Sequence, residues 1–334
     1  MKNNREPYID IVKGLSIICI VFLHYESATL LPRCINTFIG SFMITSFYVT
    51  SGWVSAMNPT QRSIRELIKK RWKQLGIPYL WWTAIILIFD FILWGFGYYD
   101  MQYVGKEIYK TITLRGIGTL WFLPALFGGE IIWHWIKSKK KIWILLIAII
   151  LTICYQHFYN KIFAGHTEII YLIYNAPFRS LKNMLEAWPC IAFGYFFYKH
   201  LMRDSLKLSK LALTTIGICI CMIAFILINY LPVSFIPYRG VFSNFCSPIG
   251  LLLIAKSLQN VKILKFFNFW GINSLNLMVT HYSIILVLFT IVIEQGFKIP
   301  FKGWTTLICF LLSMPFQYLL VTLINKYAKF TLGK

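Results

Sequence analysis

Ten apolar runs dominate the sequence, near residues 9–30, 38–57, 77–95, 117–136, 142–158, 184–199, 211–231, 243–258, 269–293 and 304–325. Each is long enough, or nearly so, for a bilayer-crossing helix, which needs roughly 17 to 25 residues. Hydrocarbon offers no water to the backbone, so such runs must bond their own N–H and C=O groups, and the helix does this within one segment. Only 13% of the residues are charged and the mean hydropathy is +0.64, whereas soluble domains carry about 25% charged residues. The expected fold class is all-α: a polytopic membrane helical bundle of about ten transmembrane helices, with residues 1–334 as a single domain.

The formal charge of +21 would point to nucleic acid in a soluble chain. In a membrane chain the distribution of Lys and Arg matters more than their sum, and no nucleic-acid partner is expected. Most basic residues fall in alternate loops: Arg62 to Lys73, Lys137 to Lys141, Lys199 to Lys210, and Lys256 to Lys265. The positive-inside rule puts these loops in the cytoplasm, together with both termini, and makes Met1 to Glu6 a cytoplasmic stub without a cleavable signal. The longest outer segments, Phe96 to Gly116 and Tyr159 to Asn183, are aromatic-rich and mixed in charge, as the rim of an outward-facing acceptor site would be. The eight cysteines form no CxxC pair, Cys219 and Cys221 being only C-x-C, so neither a disulfide framework nor a metal is expected. The hydropathy shows no internal repeat, which weakens a reading as an inverted-repeat transporter.

The first run carries Asp10, Lys13 and His24, where charge is costly. On a helix Lys13 and His24, eleven residues apart, share a face within about 20°, with Asp10 near the same line and an axial rise of about 16 Å between Lys13 and His24. A polar stripe thus descends from the inner surface to mid-membrane. A snorkelling surface pair is the alternative for Asp10 and Lys13, and a hydrogen-bonded structural histidine is the alternative for His24.

The opening REPYIDIVKGLSIICIVFLH resembles the first helix of the family-3 membrane acyltransferases, in the fucose 4-O-acetylase-like branch, whose first span reads Asp-x-x-Lys-Gly and ends in His; many relatives have Arg where Lys13 stands. SFYVTSGWVSA resembles the family's second span at Phe47, Ser51 and Gly52. RELIKKRWKQLGIPYLWW is similar to the basic segment that leads into Pro-Tyr. TLWFLPALFGGE resembles the Trp-Phe-Leu-x-x-Leu-Phe stretch at Trp121, Phe122, Leu123, Leu126 and Phe127, and brings Glu130 into the span. NSLNLMVTHYSIILV is similar to a late histidine-bearing span, with His281 in the matching place.

The resemblance implies an integral membrane O-acyltransferase that moves an acetyl group from acetyl-CoA to a sugar hydroxyl of a surface polysaccharide or a lipid-linked precursor. It implies a multi-pass protein of a bacterial inner or cytoplasmic membrane, whose partners are membrane lipid, acyl-CoA and a glycan acceptor. Lys69, Lys70, Arg71 and Lys73 are the expected dock for the donor's phosphates. His24 is the expected general base or transient acyl carrier, supported by Lys13 and Asp10, with Ser51, Trp121, Glu130 and His281 around the substrate. Two other classes stay open. A proton-coupled transporter or exporter would use His24, Glu130 and His281 as a relay, and a scaffold subunit would use none of them.

Overall fold

The computed structural model describes residues 6–25, 30–58, 63–163, 165–166, 169–202, 208–232 and 239–334. The expected stub, Met1 to Glu6, lies outside these but for Glu6, as do Arg62, Arg203 and Lys207 of the basic loops. Of the described residues 84% are helical and none forms a strand.

In chain order the helices are α1 (Pro7–His24), α2 (Arg33–Phe42), α3 (Thr45–Met57), α4 (Ile64–Arg71), α5 (Ile77–Gly95), α6 (Met101–Ile112), α7 (Phe122–Ser138) and α8 (Ile142–Phe163). They continue with α9 (Ile169–Phe197), α10 (Lys210–Asn229), α11 (Arg239–Leu258), α12 (Leu264–Ile272), α13 (Ser274–Thr280), α14 (Val287–Ile291) and α15 (Trp304–Tyr327). Wide π-helical turns join α4 to α5 (Trp72–Gly76) and α13 to α14 (His281–Leu286). Local chemistry starts several of these helices. Pro7 opens α1, where its missing N–H costs nothing. Ser63 and Glu66 form a reciprocal capping box on α4, Asp100 caps α6, and Ser209 caps α10.

Among the described residues seven helical stretches are long and apolar enough to cross a membrane: Pro7–His24, Ile64–Gly95, Ile142–Phe163, Lys210–Asn229, Arg239–Leu258, Ser274–Gly296 and Trp304–Tyr327. The other three expected spans have different forms. The run 38–57 is split into α2 and α3 at Met43–Ile44, and 117–136 becomes the 17-residue α7. The run 184–199 is the second half of the 29-residue α9, whose first half carries Arg179 and Lys182. α8 exposes Trp143, Ile147, Ile150 and Leu151. Such a face suits lipid, which is as apolar as the side chains themselves.

The described residues divide into two compact units, one drawn from Met1–Pro59 and Ala192–Thr322, the other from Thr60–Ile191 and Leu323–Lys334. In the first, α1 lies along α12 and α11, and α10 packs on α11. Trp53 Nε1 donates to the Tyr8 hydroxyl at 3.0 Å, and the hydroxyls of Ser41 and Ser247 meet at 2.8 Å. In the second, α7 packs against α4 and the turn that follows it. Trp188 Nε1 donates to Thr152 Oγ1 at 2.9 Å. Pro177 has no N–H to offer the Ile173 carbonyl one turn back in α9. Tyr109 of α6 donates its hydroxyl to that carbonyl at 2.7 Å instead, so the break in α9 becomes a tie to α6.

Candidate active site

In the first unit, α1 runs unbroken from Pro7 to His24, so the spacing expected between Lys13 and His24 is kept. Asp10 is 3% exposed, and Lys13 and His24 are half-buried. His24 ends the helix. Against it sits His281, fully buried, the first residue of the π-helical turn after α13. Turns of this kind recur at functional sites, because the extra residue re-aims the side chains around it.

The two imidazoles touch. His281 Nε2 lies 3.3 Å from His24 Nδ1, with ring centroids 5.1 Å apart and planes at 50°. The other nitrogen of His281, Nδ1, is 2.7 Å from the Leu277 carbonyl oxygen. A carbonyl only accepts, so Nδ1 of His281 carries the proton. In the neutral pair His281 Nε2 is then the acceptor and His24 Nδ1–H points to it, while the Ile20 carbonyl also takes a hydrogen bond from the His24 ring; with the proton on Nδ1 the lone pair of His24 falls on Nε2. Tyr282 closes on the same ring edge-to-face, with centroids 4.8 Å apart. Behind the pair, Thr280 Oγ1 donates to Gln317 Oε1 at 2.8 Å, both residues fully buried.

The packing that brings the histidines together is reciprocal. A side-chain carbon on Gly14 would run into the carbonyl of Phe267, and one on Gly271 would run into the carbonyl of Asp10. Only glycine permits this approach of backbone to backbone, the device by which small residues seat one membrane helix on another. The residue numbers on the two sides differ by one constant interval: Asp10 and Phe267, Gly14 and Gly271, His24 and His281, Tyr25 and Tyr282. The sequence therefore contains Gly-x9-His-Tyr twice, GLSIICIVFLHY at 14–25 and GINSLNLMVTHY at 271–282. That repeat is the signal that points to the pair. Hydropathy does not register it, since it resides in three positions of twelve. Tyr282 shares that mark, whereas Thr280 and Gln317 carry none; none of the three is an expected site residue.

Ser51 is half-buried in α3, beside buried Gly52 and two residues before Trp53. Asp10, Lys13, His24, Ser51 and His281 all belong to the first unit; Lys69, Lys70, Arg71, Lys73, Trp121 and Glu130 belong to the second. There the basic segment is heterogeneous. Lys69, Lys70 and Lys73 are exposed. Arg71 is half-buried, with its Nε paired to Glu130 of α7 and its Nη1 donating to Gln74 Oε1 at 2.7 Å. Glu130, 5% exposed, is thus a carboxylate neutralised by a guanidinium. Trp121 is half-buried and lines a cavity of the second unit. Among the described residues no group of three His, Cys, Asp or Glu is disposed to hold a metal ion.

A half-buried imidazole whose proton position is set by a second, buried imidazole suits proton abstraction from a hydroxyl or nucleophilic attack on a carbonyl. No curated protein and no solved structure matches the chain. The family model described as an acyltransferase domain matches residues 6–324, nearly the whole chain and both units. This multi-pass membrane protein belongs to the family 3 acyltransferases.

Proposed function

We propose that the protein is an O-acetyltransferase of the cell envelope, moving an acetyl group from acetyl-CoA to a hydroxyl of a surface polysaccharide or its lipid-linked precursor. The observation that carries this reading is the His24–His281 contact, which leaves the lone pair on His24 Nε2. In the proposed step His24 Nε2 takes the proton of the acceptor hydroxyl while that oxygen attacks the thioester carbonyl. The C–S bond breaks, the thiolate leaves, and the proton passes from His24 to the departing sulfur. General-base help of this kind is worth roughly 10² to 10⁴ in rate. In the second route His24 Nε2 itself attacks the thioester carbonyl and the C–S bond breaks with the thiolate leaving; the acceptor hydroxyl then attacks the acyl-imidazolium, which frees His24 Nε2 while the hydroxyl proton passes to the thiolate.

The exposed ammonium groups of Lys69, Lys70 and Lys73 are the proposed dock for the donor's phosphates, and Arg71 shapes the segment through Glu130 and Gln74. Lys13, oriented by Asp10, and the hydroxyl of Ser51 support the site around His24. Glycan, acyl-CoA and membrane lipid are the proposed partners. The proposed setting is a bacterial cytoplasmic membrane, crossed ten times by one functional domain with both termini inside.

The test is His24→Ala in membrane vesicles supplied with labelled acetyl-CoA and the glycan fraction. The variant should insert and fold while glycan acetylation disappears. Retained acetylation, or glycan flux across the vesicle membrane without acetyl-CoA consumption, would overturn the reading and favour an exporter.

A further inference from the structure

The second unit contains a cavity of about 560 Å³ between the turn that follows α6, the end of α8 and the first half of α9. Its size is that of small-ligand sites. Beside His166, Asn175 and Asn183, two kinds of side chain line it. Trp121, Tyr159 and Phe163 offer aromatic surface, and Arg115, Arg179 and Lys182 bring three cations against one carboxylate, Glu186. That carboxylate is already engaged: Lys182 Nζ lies 2.6 Å from Glu186 Oε1 and over the Tyr159 ring, 5.4 Å from its centroid. The two guanidinium groups line the cavity together, and the Glu107 carboxylate that also acts on Arg115 is already paired to Lys110 at 2.5 Å. Burial, together with Arg179 nearby, pushes Arg115 down to about 10; an anion between the two would relieve that repulsion.

The position of Arg115 is built into the backbone. Leu114, Gly116 and Gly118 all take left-handed φ values of 57°, 70° and 51°, conformations that cost a non-glycine residue about 1–2 kcal/mol. A side-chain carbon on Gly116 would lie 2.8 Å from the Trp121 Cα, so glycine is needed there for space as well as for φ. The last carbonyls of α6 are tied down on both sides. Tyr79 donates its hydroxyl to the Thr111 carbonyl at 3.0 Å, and Ser180 of α9 donates to that of Thr113 at 2.9 Å. Tyr159 is held by its hydroxyl bond to Asn175 Oδ1 at 2.6 Å. A tight turn thus fixes Arg115 at the cavity that Trp121 also lines; Arg115, Tyr159 and Arg179 belong to the segments expected at the outer rim, and Trp121 lies near the start of the apolar run that follows.

We propose that this cavity binds the acceptor through an anionic sugar unit, a saccharide carrying a carboxylate or a phosphate, with Arg115 and Arg179 gripping the charge and Trp121 and Tyr159 against the ring faces. Guanidinium suits both groups, since its fork matches two oxygens at once, and an amphipathic sugar ring packs on aromatic faces as an apolar surface does. The proposal rests on the glycan-acceptor reading for the kind of ligand, and its test needs no turnover.

Binding to the full-length protein in detergent would be measured by calorimetry with four probes: methyl glucuronide, glucose 1-phosphate, neutral methyl glucoside and acetyl-CoA. The two anionic sugars separate a carboxylate preference from a phosphate preference. At least one should bind ten-fold or more tightly than methyl glucoside. Arg115→Gln and Arg179→Gln should each weaken it by roughly ten- to a hundred-fold, the value of a charged hydrogen bond. Arg115→Lys, which keeps the charge and loses the fork, should retain part of the affinity, and it decides the matter if the Gln variant does not fold. Acetyl-CoA affinity should not move in any of them. Equal binding of neutral and anionic sugars, variants that bind as the wild type does, or weakened acetyl-CoA binding in the arginine variants would each overturn the assignment, the last by making the cavity a donor site. Sugar binding intact in a wild-type protein that transfers no acetyl group would instead overturn the function proposed above and leave the cavity assignment standing.

Discussion

Replacing His281 by Ala separates chemistry from positioning at the proposed active site. His281 is proposed as a positioning residue: its Nε2, 3.3 Å from His24 Nδ1, holds the proton of His24 on the nitrogen away from the reaction. In the ground state this is a bond between neutral groups, worth about 0.5–1.5 kcal/mol; once His24 has taken a proton it becomes charge-assisted, worth about 1.5–3 kcal/mol. Only the part that strengthens in the transition state enters kcat. That part is about 1–1.5 kcal/mol, near ten-fold in rate, and partial loss of ring alignment adds to it, since Tyr282 and the Ile20 carbonyl are the contacts that stay on His24. His281→Ala should lower kcat by roughly ten- to a hundred-fold with little change in KM for acetyl-CoA. His281→Gln, whose amide oxygen can accept the same proton, should recover a large share. The assay is acetyl transfer from labelled acetyl-CoA to the glycan, with the pH profile of kcat/KM recorded for each folded variant. Wild-type kcat and an unmoved pH profile in His281→Ala would refute the reasoning, because the histidine contact would then be packing alone.

Three further outcomes follow from the structure. Gly14→Ala would put a methyl 2.6 Å from the Phe267 carbonyl carbon, where 3.4–4 Å is ordinary contact; forcing the helices apart should cost about 1–3 kcal/mol, read as a lower melting temperature and reduced transfer. Arg71→Ala should destabilise the protein by about 3 kcal/mol, because it leaves the buried Glu130 carboxylate without its cation; Arg71→Ala combined with Glu130→Gln should restore much of this in thermal unfolding. Gly116→Ala should cost stability through its left-handed φ and lower affinity for an anionic sugar, while His24-dependent transfer to a neutral acceptor should persist.

The all-helical class is legible in the sequence because apolar length alone dictates it, and seven stretches meet that criterion in the structure. The second run reads as one span because hydropathy does not register the break at Met43. α9 hides its length behind Arg179, Lys182, Glu186 and two prolines, which lower its mean hydropathy although the helix continues through them. His24 is conspicuous as a polar group deep in an apolar run; its partner stands 257 residues away, and what links them is the Gly-x9-His-Tyr repeat, three positions in twelve. Gly14 could be quoted as part of a motif; its reason, contact with the Phe267 backbone, needs the second helix. Glu130 could be flagged as a carboxylate that must be protonated, paired or wet, and the fold supplies Arg71. The outer segments could be marked as a rim, whereas the left-handed turn that holds Arg115 depends on ties to α5 and α9 that sequence spacing does not show.

The reciprocal glycine crossing makes α1 and the α12–α13 pair work as a pair of callipers. From the crossing at Gly14 and Gly271 each arm counts ten residues to its imidazole, along unbroken α1 for about 15 Å on one side and through the turn at Asn273 between α12 and α13 on the other. A deletion of one residue in α1 between Gly14 and His24 swings that ring by about 100° and draws it back by about 1.5 Å. The gap is thus gauged by chain length counted from a remote backbone contact, and selection on that length acts at positions that never touch a substrate.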